Sequence, residues 1–544
     1  MRILALCLAL MACLAATISA TTTTTKTATA SKHGSNYIVL LNQTTDISDF
    51  VPRLIEGAVE FFHKLIKDVS NDLEDLISRT NDDDDSKQLH VKRTFDIGGT
   101  FKALDVELMD DRLLEKLTSG AFSEIVSVIP DEEIQFDLPR PAKAVKVDKR
   151  YYIRPVRVPD AEPVYANSEP SRRRSRPRRV TSSSVITGGW SSSASDAYPG
   201  WSSSESPYVP TATKSSPFAA GPTEAAIEYD EQENAPWNLV RVSERDLDAD
   251  QPYIYDARGG HGVTVYVVDD GIAIHNTEFE GRAKRGWSAL TEGDNAGDKG
   301  NETTTLASSA SKKKHVDPLD GGGHGTHVAG LIGGKTYGVA KNVSLVSVQV
   351  LNANGKGTVS SLLGGIQWIM EQEKNHTHPA LINMSLGLSK KGDGAKALAQ
   401  VIDAAVKGGL PVIAAAGNSA SDACDTTPAG SERVYTVGST DRDDEMDPYS
   451  SYGKCVNMLA PGFDIKSAYI GKKSATATMS GSSMAAPHVS GVAALLLPDL
   501  KDPSPEALYK ALDKLATKGK VTNLPDKKTP NKLLFNGQHK TEKQ

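Results

Sequence analysis

The sequence predicts an α/β fold over residues 235–535, a three-layer sandwich with a mainly parallel sheet, preceded by a small α+β domain over residues 36–137. Three observations carry this. Nearly continuous apolar runs recur at 263–268, 345–351, 380–384, 411–415 and 434–437, as strands buried on both faces require. Amphipathic stretches at 360–371 and 395–407 fall between those runs, the alternation expected of a parallel sheet with crossover helices. A compositional break then sets the two parts apart, because 138–233 is rich in Ser, Pro, Arg and Gly and has little periodicity.

Taken in order, residues 1–20 read as a secretory signal: Arg2, a short apolar core, and Ile18-Ser19-Ala20 as small residues for cleavage. The apolar run is shorter than the roughly 20 residues of a spanning helix, so no membrane anchor is expected. The signal implies export to the outside of the cell, with vacuolar or lysosomal residence left open. Cys7 and Cys13 leave with it. In an oxidising compartment Cys424 and Cys455 are then expected to pair, closing a loop of about thirty residues worth on the order of 3 kcal/mol.

A strand is expected at 35–42, followed by an amphipathic helix with Leu54, Val59, Phe62, Ile66, Val69, Leu73 and Leu76 at helical spacing. The acidic run 82–85 reads as a solvated loop. Residues 95–108 are strand-like, 110–117 helical and 125–129 strand-like, which gives the order β-α-β-β-α-β and an end near Asp137. Segment 138–233 cannot bury enough apolar surface to offset its ordering entropy, and is expected to be a disordered linker. Between 138 and 180 it holds 13 Lys/Arg against 4 Asp/Glu, including Lys149-Arg150, Arg172-Arg173-Arg174 and Arg178-Arg179. Such clusters suit nucleic-acid contact, a solvated linker, or processing sites. The chain-wide charge of −7 argues against nucleic acid and favours a linker open to cleavage. Residues 290–318, polar and Lys-rich, read as a surface insertion. A last helix opens with Ser504 as N-cap and Pro505 in its first turn.

Four motifs carry the chemistry: V-Y-V-V-D-D-G-I (265–272), H-G-T-H-V-A-G (324–330), A-A-A-G-N (414–418) and G-S-S-M-A-A-P-H (481–488). They supply a carboxylate (Asp269), an imidazole (His324), an amide (Asn418) and a hydroxyl (Ser483), the parts of a serine hydrolase. Each has a plainer reading alone: Asp269 as a turn cap, Ser482 as a helix N-cap, Asn418 as a turn residue. His327 competes with His324 and invites a metal reading, but zinc-binding helices space their histidines at i and i+4 with a Glu between. All four motifs in this order are not explained that way.

Together the motifs resemble those of the subtilisin-like serine proteases, and residues 235–500 are similar to the proteinase K branch. The resemblance implies a subtilisin-like fold, with Asp269, His324 and Ser483 as triad and Asn418 as oxyanion donor, acting on polypeptides as an endopeptidase. Residues 36–137 are similar to the ferredoxin-like inhibitor prodomain of that family, through Y-I-V-L-L and F-K-A-L-D-V-E-L, which implies a zymogen restrained by its own prodomain. The cleft would be lined by 351–357 with Gly355 and Gly357, and by Ser385, Leu386 and Gly387, which can pair with a substrate strand. Ala415, Ala416 and Gly417 would make a small-walled, uncharged P1 pocket for apolar or aromatic residues.

Two departures stand out. Asp270 follows the catalytic Asp where the family usually has Thr or Ser, as in the kexin-like convertases. The other motifs are not the convertase forms, and Thr427 stands where that branch has an S1 aspartate. A silent peptide-binding relative is the alternative that Asp270 favours. The chemistry requires no cofactor. The family's main calcium site uses a carboxylate just before A-P-G, where this chain has Asn457, which argues against calcium there and leaves other sites open. A monomer is expected. Glycosylation sequons occur at Asn42, Asn301, Asn342, Asn375 and Asn383.

Overall fold

The computed structural model describes residues 35–69, 89–110, 112–136, 138–139, 228–246, 251–291, 317–375, 377–389 and 392–538. The signal, the acidic run, most of the basic linker and most of the 290–318 insertion lie outside them, as do Leu73 and Leu76. No helix among the described residues is long and apolar enough to cross a membrane.

The N-terminal domain is built from β1 (Ser35–Leu41), α1 (Ile47–Val69), β2 (Leu89–Ile97), β3 (Phe101–Leu108), α2 (Arg112–Thr118) and β4 (Ile125–Pro130), followed by the short strand β5 (Ile134–Gln135). Its sheet runs β2-β3-β1-β4, with antiparallel pairs throughout. The single strand expected at 95–108 is two: the chain turns at Gly98 and Gly99, both at positive φ, and β2 begins earlier, at Leu89. Helix α1 buries Phe50, Leu54 and Ala58, whereas Val59, expected on that face, is half-buried.

Strand β1 shows why its sequence is apolar throughout. Tyr37, Val39 and Leu41 pack with Phe50, Leu54, Leu113 and Leu117 of the domain's own helices. Ile38 and Leu40 face the other way, with Phe95, Phe101 and Ala103, against Leu362, Ile366 and Val401 of the C-terminal domain. A sheet covered on both faces leaves no polar side to the alternation. Asp131, just past β4, adds a directed contact: its carboxylate accepts from the backbone N–H of Ser360 (2.9 Å) and from its hydroxyl (2.5 Å).

The C-terminal domain begins earlier than its composition suggests. Residues Tyr229–Gln232, expected in the linker, form β6 and pair antiparallel with β7 (Tyr253–Asp256), because backbone pairing supplies what the side-chain pattern does not advertise. Then come α3 (Trp237–Ser243), β8 (Thr264–Asp269), β9 (Ala283–Ser288), α4 (His324–Gly333), β10 (Ser344–Gln349), β11 (Lys356–Gly357), α5 (Val359–Glu373), β12 (Ala380–Met384), β13 (Leu388–Ser389) and α6 (Asp393–Lys407). They are followed by β14 (Val412–Ala415), β15 (Thr426–Thr427), β16 (Tyr435–Thr440), β17 (Met458–Pro461), β18 (Ile465–Ala468), β19 (Thr476–Met479), α7 (Ser482–Leu496), α8 (Pro505–Leu515), β20 (Thr517–Lys518) and β21 (Lys532–Leu533). Nine strands form one sheet in the order β20-β21-β17-β16-β14-β12-β8-β10-β9, parallel except for the β20–β21 pair.

Along β8, Val265 and Val267 pack with α4 and α7 on one face, while Tyr266 and Val268 pack with α5 and α6 on the other. This is the expected three-layer sandwich. Ser504 caps α8 as its sequence implied, accepting from Ala507 N–H. Cys424 and Cys455 form the expected disulfide, with Cα atoms 5.3 Å apart.

Candidate active site

The parity of β8 fixes where its last residue goes. Val265 and Val267 face α4 and α7, so Asp269, two residues on, ends the strand on that same side. It is wholly buried. His324 opens α4, and its Nδ1 lies 2.8 Å from Oδ1 and 3.0 Å from Oδ2 of Asp269. A carboxylate there selects the Nδ1–H tautomer and leaves Nε2 as the basic nitrogen. Burial by itself pushes the imidazole pKa down, but the charge and hydrogen bond of Asp269, with the charge of Asp270, outweigh it, and the net direction is up. Nε2 is buried and has no hydrogen-bond partner among the described residues. The close approach depends on Gly325: a Cβ there would lie 2.4 Å from the Gly271 carbonyl oxygen and 3.0 Å from Asp269 Cβ.

Ser483 is the second residue of α7, not its first. The N-cap is Gly481 at φ 143°, which offers no side chain, so the alternative of Ser482 as N-cap does not hold. Ser482 instead holds the Asn418 loop. Its N–H donates to Asn418 Oδ1 at 2.8 Å, its hydroxyl to the same atom at 2.9 Å, and Gly417 N–H donates to that hydroxyl at 3.0 Å. With Oδ1 engaged, the NH₂ is the donor end that Asn418 keeps for another acceptor. The Ser483 hydroxyl donates to Ser385 O at 3.1 Å, and Ser385 Oγ donates to Ser483 O at 3.0 Å. The carboxylate–imidazole contact is therefore made, whereas the expected hydroxyl–imidazole hydrogen bond is not. The Ser385 carbonyl competes for the proton, and such bonds commonly tighten only with substrate in place.

The residues expected to line the cleft meet the chain's own N-terminal domain. Strand β5 pairs antiparallel with β11, Ile134 opposite Gly357 and Gln135 opposite Lys356. Phe136 N–H donates to Gly355 O at 2.9 Å, and the Phe136 side chain is buried in the core that also holds Leu351 and Leu386. Further on, Pro139 reaches the head of α7: a Cβ on Gly481 would sit 3.1 Å from Pro139 Cγ and 2.9 Å from Asn418 Oδ1. The segment thus runs from the 355–357 strand to the neighbourhood of Ser483 and Asn418. Gly387 lies near the Thr427 carbonyl, and Leu388 pairs with Thr427 in the β13–β15 ladder. Ala415, Ala416 and Thr427 are buried, Gly417 turns at φ 106°, and none of them brings a charge.

The other two buried histidines among the described residues are structural. His327 Nε2 bonds to the carbonyl of Ile465 at 3.0 Å, and burial, then the nearby His324, takes its pKa down to about 3. His488 is held between Met484 O and Asn238. Asn457, which stands where the family's main calcium site has a carboxylate, brings no charge, and its Oδ1 accepts from Thr436 N–H at 2.7 Å, holding β16. Asn383 is fully buried, with its amide bonded to Ser385 Oγ and Ser490 Oγ, which removes that sequon from solvent.

Three contributors have roles that no local pattern announces. Ser482 has only a plain N-cap reading in the sequence, and the contacts of Asp131 and Asp270 join residues far apart in the chain.

Residues 260–532 match the family model described as the subtilase family, peptidase S8. The chain is 39% identical over 332 residues to the subtilisin-like serine protease Rho m 2.0101 of Rhodotorula mucilaginosa, covering 57% of this chain and 89% of that one. It is 41% identical over 304 residues to an extracellular serine proteinase of a Thermus species, covering 56% and 67%, and 38% identical over 334 residues to cerevisin of Saccharomyces cerevisiae, covering 57% and 48%. A crystal structure of a cold-adapted subtilisin-like serine proteinase matches at 39% identity over 56% of this chain and 99% of that one, with a TM-score of 0.48.

Proposed function

This chain belongs to the subtilase family and is a serine endopeptidase, and from that premise we propose how it works: it is made as an exported zymogen whose Ser483 attacks peptide carbonyls. His324 takes the Ser483 proton through Nε2, Asp269 stabilises the resulting imidazolium, and Asn418 NH₂ with the N-terminal N–H groups of α7 receives the oxyanion. The imidazolium then protonates the leaving amine. Water repeats the sequence on the acyl-enzyme with the roles reversed.

One observation carries this reading: the imidazole is held 2.8 Å from a buried carboxylate, with its other nitrogen buried and uncommitted. An uncharged, small-residue wall around Ala415, Ala416, Gly417 and Thr427 favours broad cleavage after apolar or aromatic residues. The N-terminal domain acts as an intramolecular inhibitor by laying 134–136 along Gly355 and Gly357, where a substrate strand would bind. The mature enzyme is a secreted monomer and needs no cofactor.

A fluorophosphonate probe tests the proposal. The processed protein should acquire one adduct, on Ser483, and Ser483→Ala should lose the adduct together with about 10⁶-fold in turnover, since a triad acts as a unit. A folded, processed protein that takes no label would instead be a silent peptide-binding member of the fold.

A further inference from the structure

We propose that Asp270 is a positioning residue for His324, one that holds the backbone of the helix on which the imidazole rides. Helix α4 has no cap of its own. Its N-cap is Gly323 at φ 100°, and a glycine has no side chain to accept the exposed N–H groups of the first turn. Asp270, more than fifty residues earlier, supplies the missing acceptor. Its Oδ1 accepts from Gly325 N–H at 2.8 Å, and its Oδ2 from Gly322 N–H at 2.9 Å and His324 N–H at 3.3 Å. The carboxylate is buried, and the glycines around it are what let it in: a Cβ on Gly322 or Gly325 would lie 3.0 or 3.1 Å from its oxygens. Its own carbonyl is fixed in turn by Gln349 Nε2 at 2.8 Å.

One histidine is thus held by consecutive residues, Asp269 on the ring and Asp270 on the main chain. A displacement of the helix head by about 1 Å would carry Nε2 out of line with Ser483, and such misplacement can cost up to ~100-fold in rate. The charged groups bearing on the Asp270 carboxyl are Asp269 on its own strand and His324 on α4; Asp320, in the adjacent loop, bears on Arg285, Asp317 and His275 instead. Burial first, then the Asp269 charge, raises that carboxyl to about 7. Its negative charge also raises the pKa of His324. Asp270 therefore touches both the geometry and the charge of the imidazole.

The inference rests on His324 serving as the base. Two variants test it, Asp270→Asn, which keeps the shape, and Asp270→Thr, which keeps one acceptor and is the residue type the family usually carries here. Both are titrated with a fluorophosphonate so that only competent sites are counted. Turnover per labelled site should fall by roughly 10- to 100-fold with KM within about twofold. The acid limb of kcat/KM should move to lower pH to the extent that Asp270, itself raised to about 7, is ionised there. In the Ser483→Ala background, where no activity is needed, amide exchange at Gly322 and Gly325 should accelerate on the same substitutions. Unchanged turnover per site, an unmoved acid limb and unchanged exchange would overturn the assignment. A wild-type enzyme that takes no label, with exchange still accelerated in the Asp270 variants, would point instead to failure of the base assignment.

Discussion

At His324 the ring has a buried carboxylate on Nδ1 and an uncommitted Nε2, so its acid–base behaviour follows from one neighbour more than from any other residue. Burial opposes the imidazolium, yet Asp269, with help from Asp270, raises the imidazole above its ordinary 6.5. The working form is the neutral one, so it is lost as pH falls through that raised value. The acid limb of kcat/KM should therefore lie above 6.5, and Asp269→Asn should move it down while lowering turnover by about 10⁴-fold through the wrong tautomer. A pH–rate profile of both proteins checks this. Asn418 differs in kind, since Ser482 fixes its Oδ1 and leaves only the NH₂ to meet an oxyanion. Asn418→Ala should cost about 10²–10³ in kcat with little change in KM, measurable on a peptide ester.

Among the elements, α5 faces two tasks. Its own N-cap, Thr358, accepts from Ser361 N–H, and the N-terminal domain adds the Asp131 carboxylate on Ser360. An anion at a helix N-terminus satisfies a donor and meets the positive end of the helix dipole. Removing it leaves the partner's N–H unpaired inside an interface, and hydrogen bonds to charged groups are worth about 1.5–3 kcal/mol each. Asp131→Ala should therefore speed release of the cut N-terminal domain by about tenfold or more, followed as the rise of activity after processing. The same face of α5, with Leu362 and Ile366, receives Ile38, Phe95 and Phe101, so the helix is dressed for a partner encoded earlier in its own chain.

Over the whole molecule, the N-terminal domain, whose β5 pairs with β11, and the peptidase domain are joined by a long connection. The N-terminal domain leaves the groove at Phe136 and Pro139, and β6 of the peptidase domain starts only at Tyr229. A first cut in the occupied cleft would therefore fall between Phe136 and Pro139, and not at the start of the peptidase domain. It would leave the basic segment attached to the enzyme until its Arg clusters are cut in turn. N-terminal sequencing of the earliest product should find a new terminus at Asp137 or Leu138, because the Leu138–Pro139 bond has no N–H and cleaves poorly. The Ser483→Ala precursor should give none. A first terminus beyond Arg150 would show that the cleft segment is not the first substrate.

How much of this was legible in the sequence varied with distance along the chain. Periodicity placed the sheet strands and their helices, because the alternation of apolar residues is a property of neighbours. Ser504 and Pro505 announced α8 in the same way. Among the strands that were missed, β6, β9, β17, β18 and β19 are short or polar on one side, which leaves the side-chain pattern too little to announce them.

By itself the sequence determined the family and singled out Asp269, His324, Asn418 and Ser483 as candidates, since each sits in a motif whose chemistry is local. Only the tertiary structure decided that Asp270 caps α4, that Ser482 rather than a turn orients Asn418, that Ser483 bonds to Ser385, and that 134–136 runs along 355–357. Those contacts join residues 50 to 230 positions apart. Nothing in a neighbourhood of the chain encodes them; they follow from which face of a strand or helix meets which other once the two cores have closed.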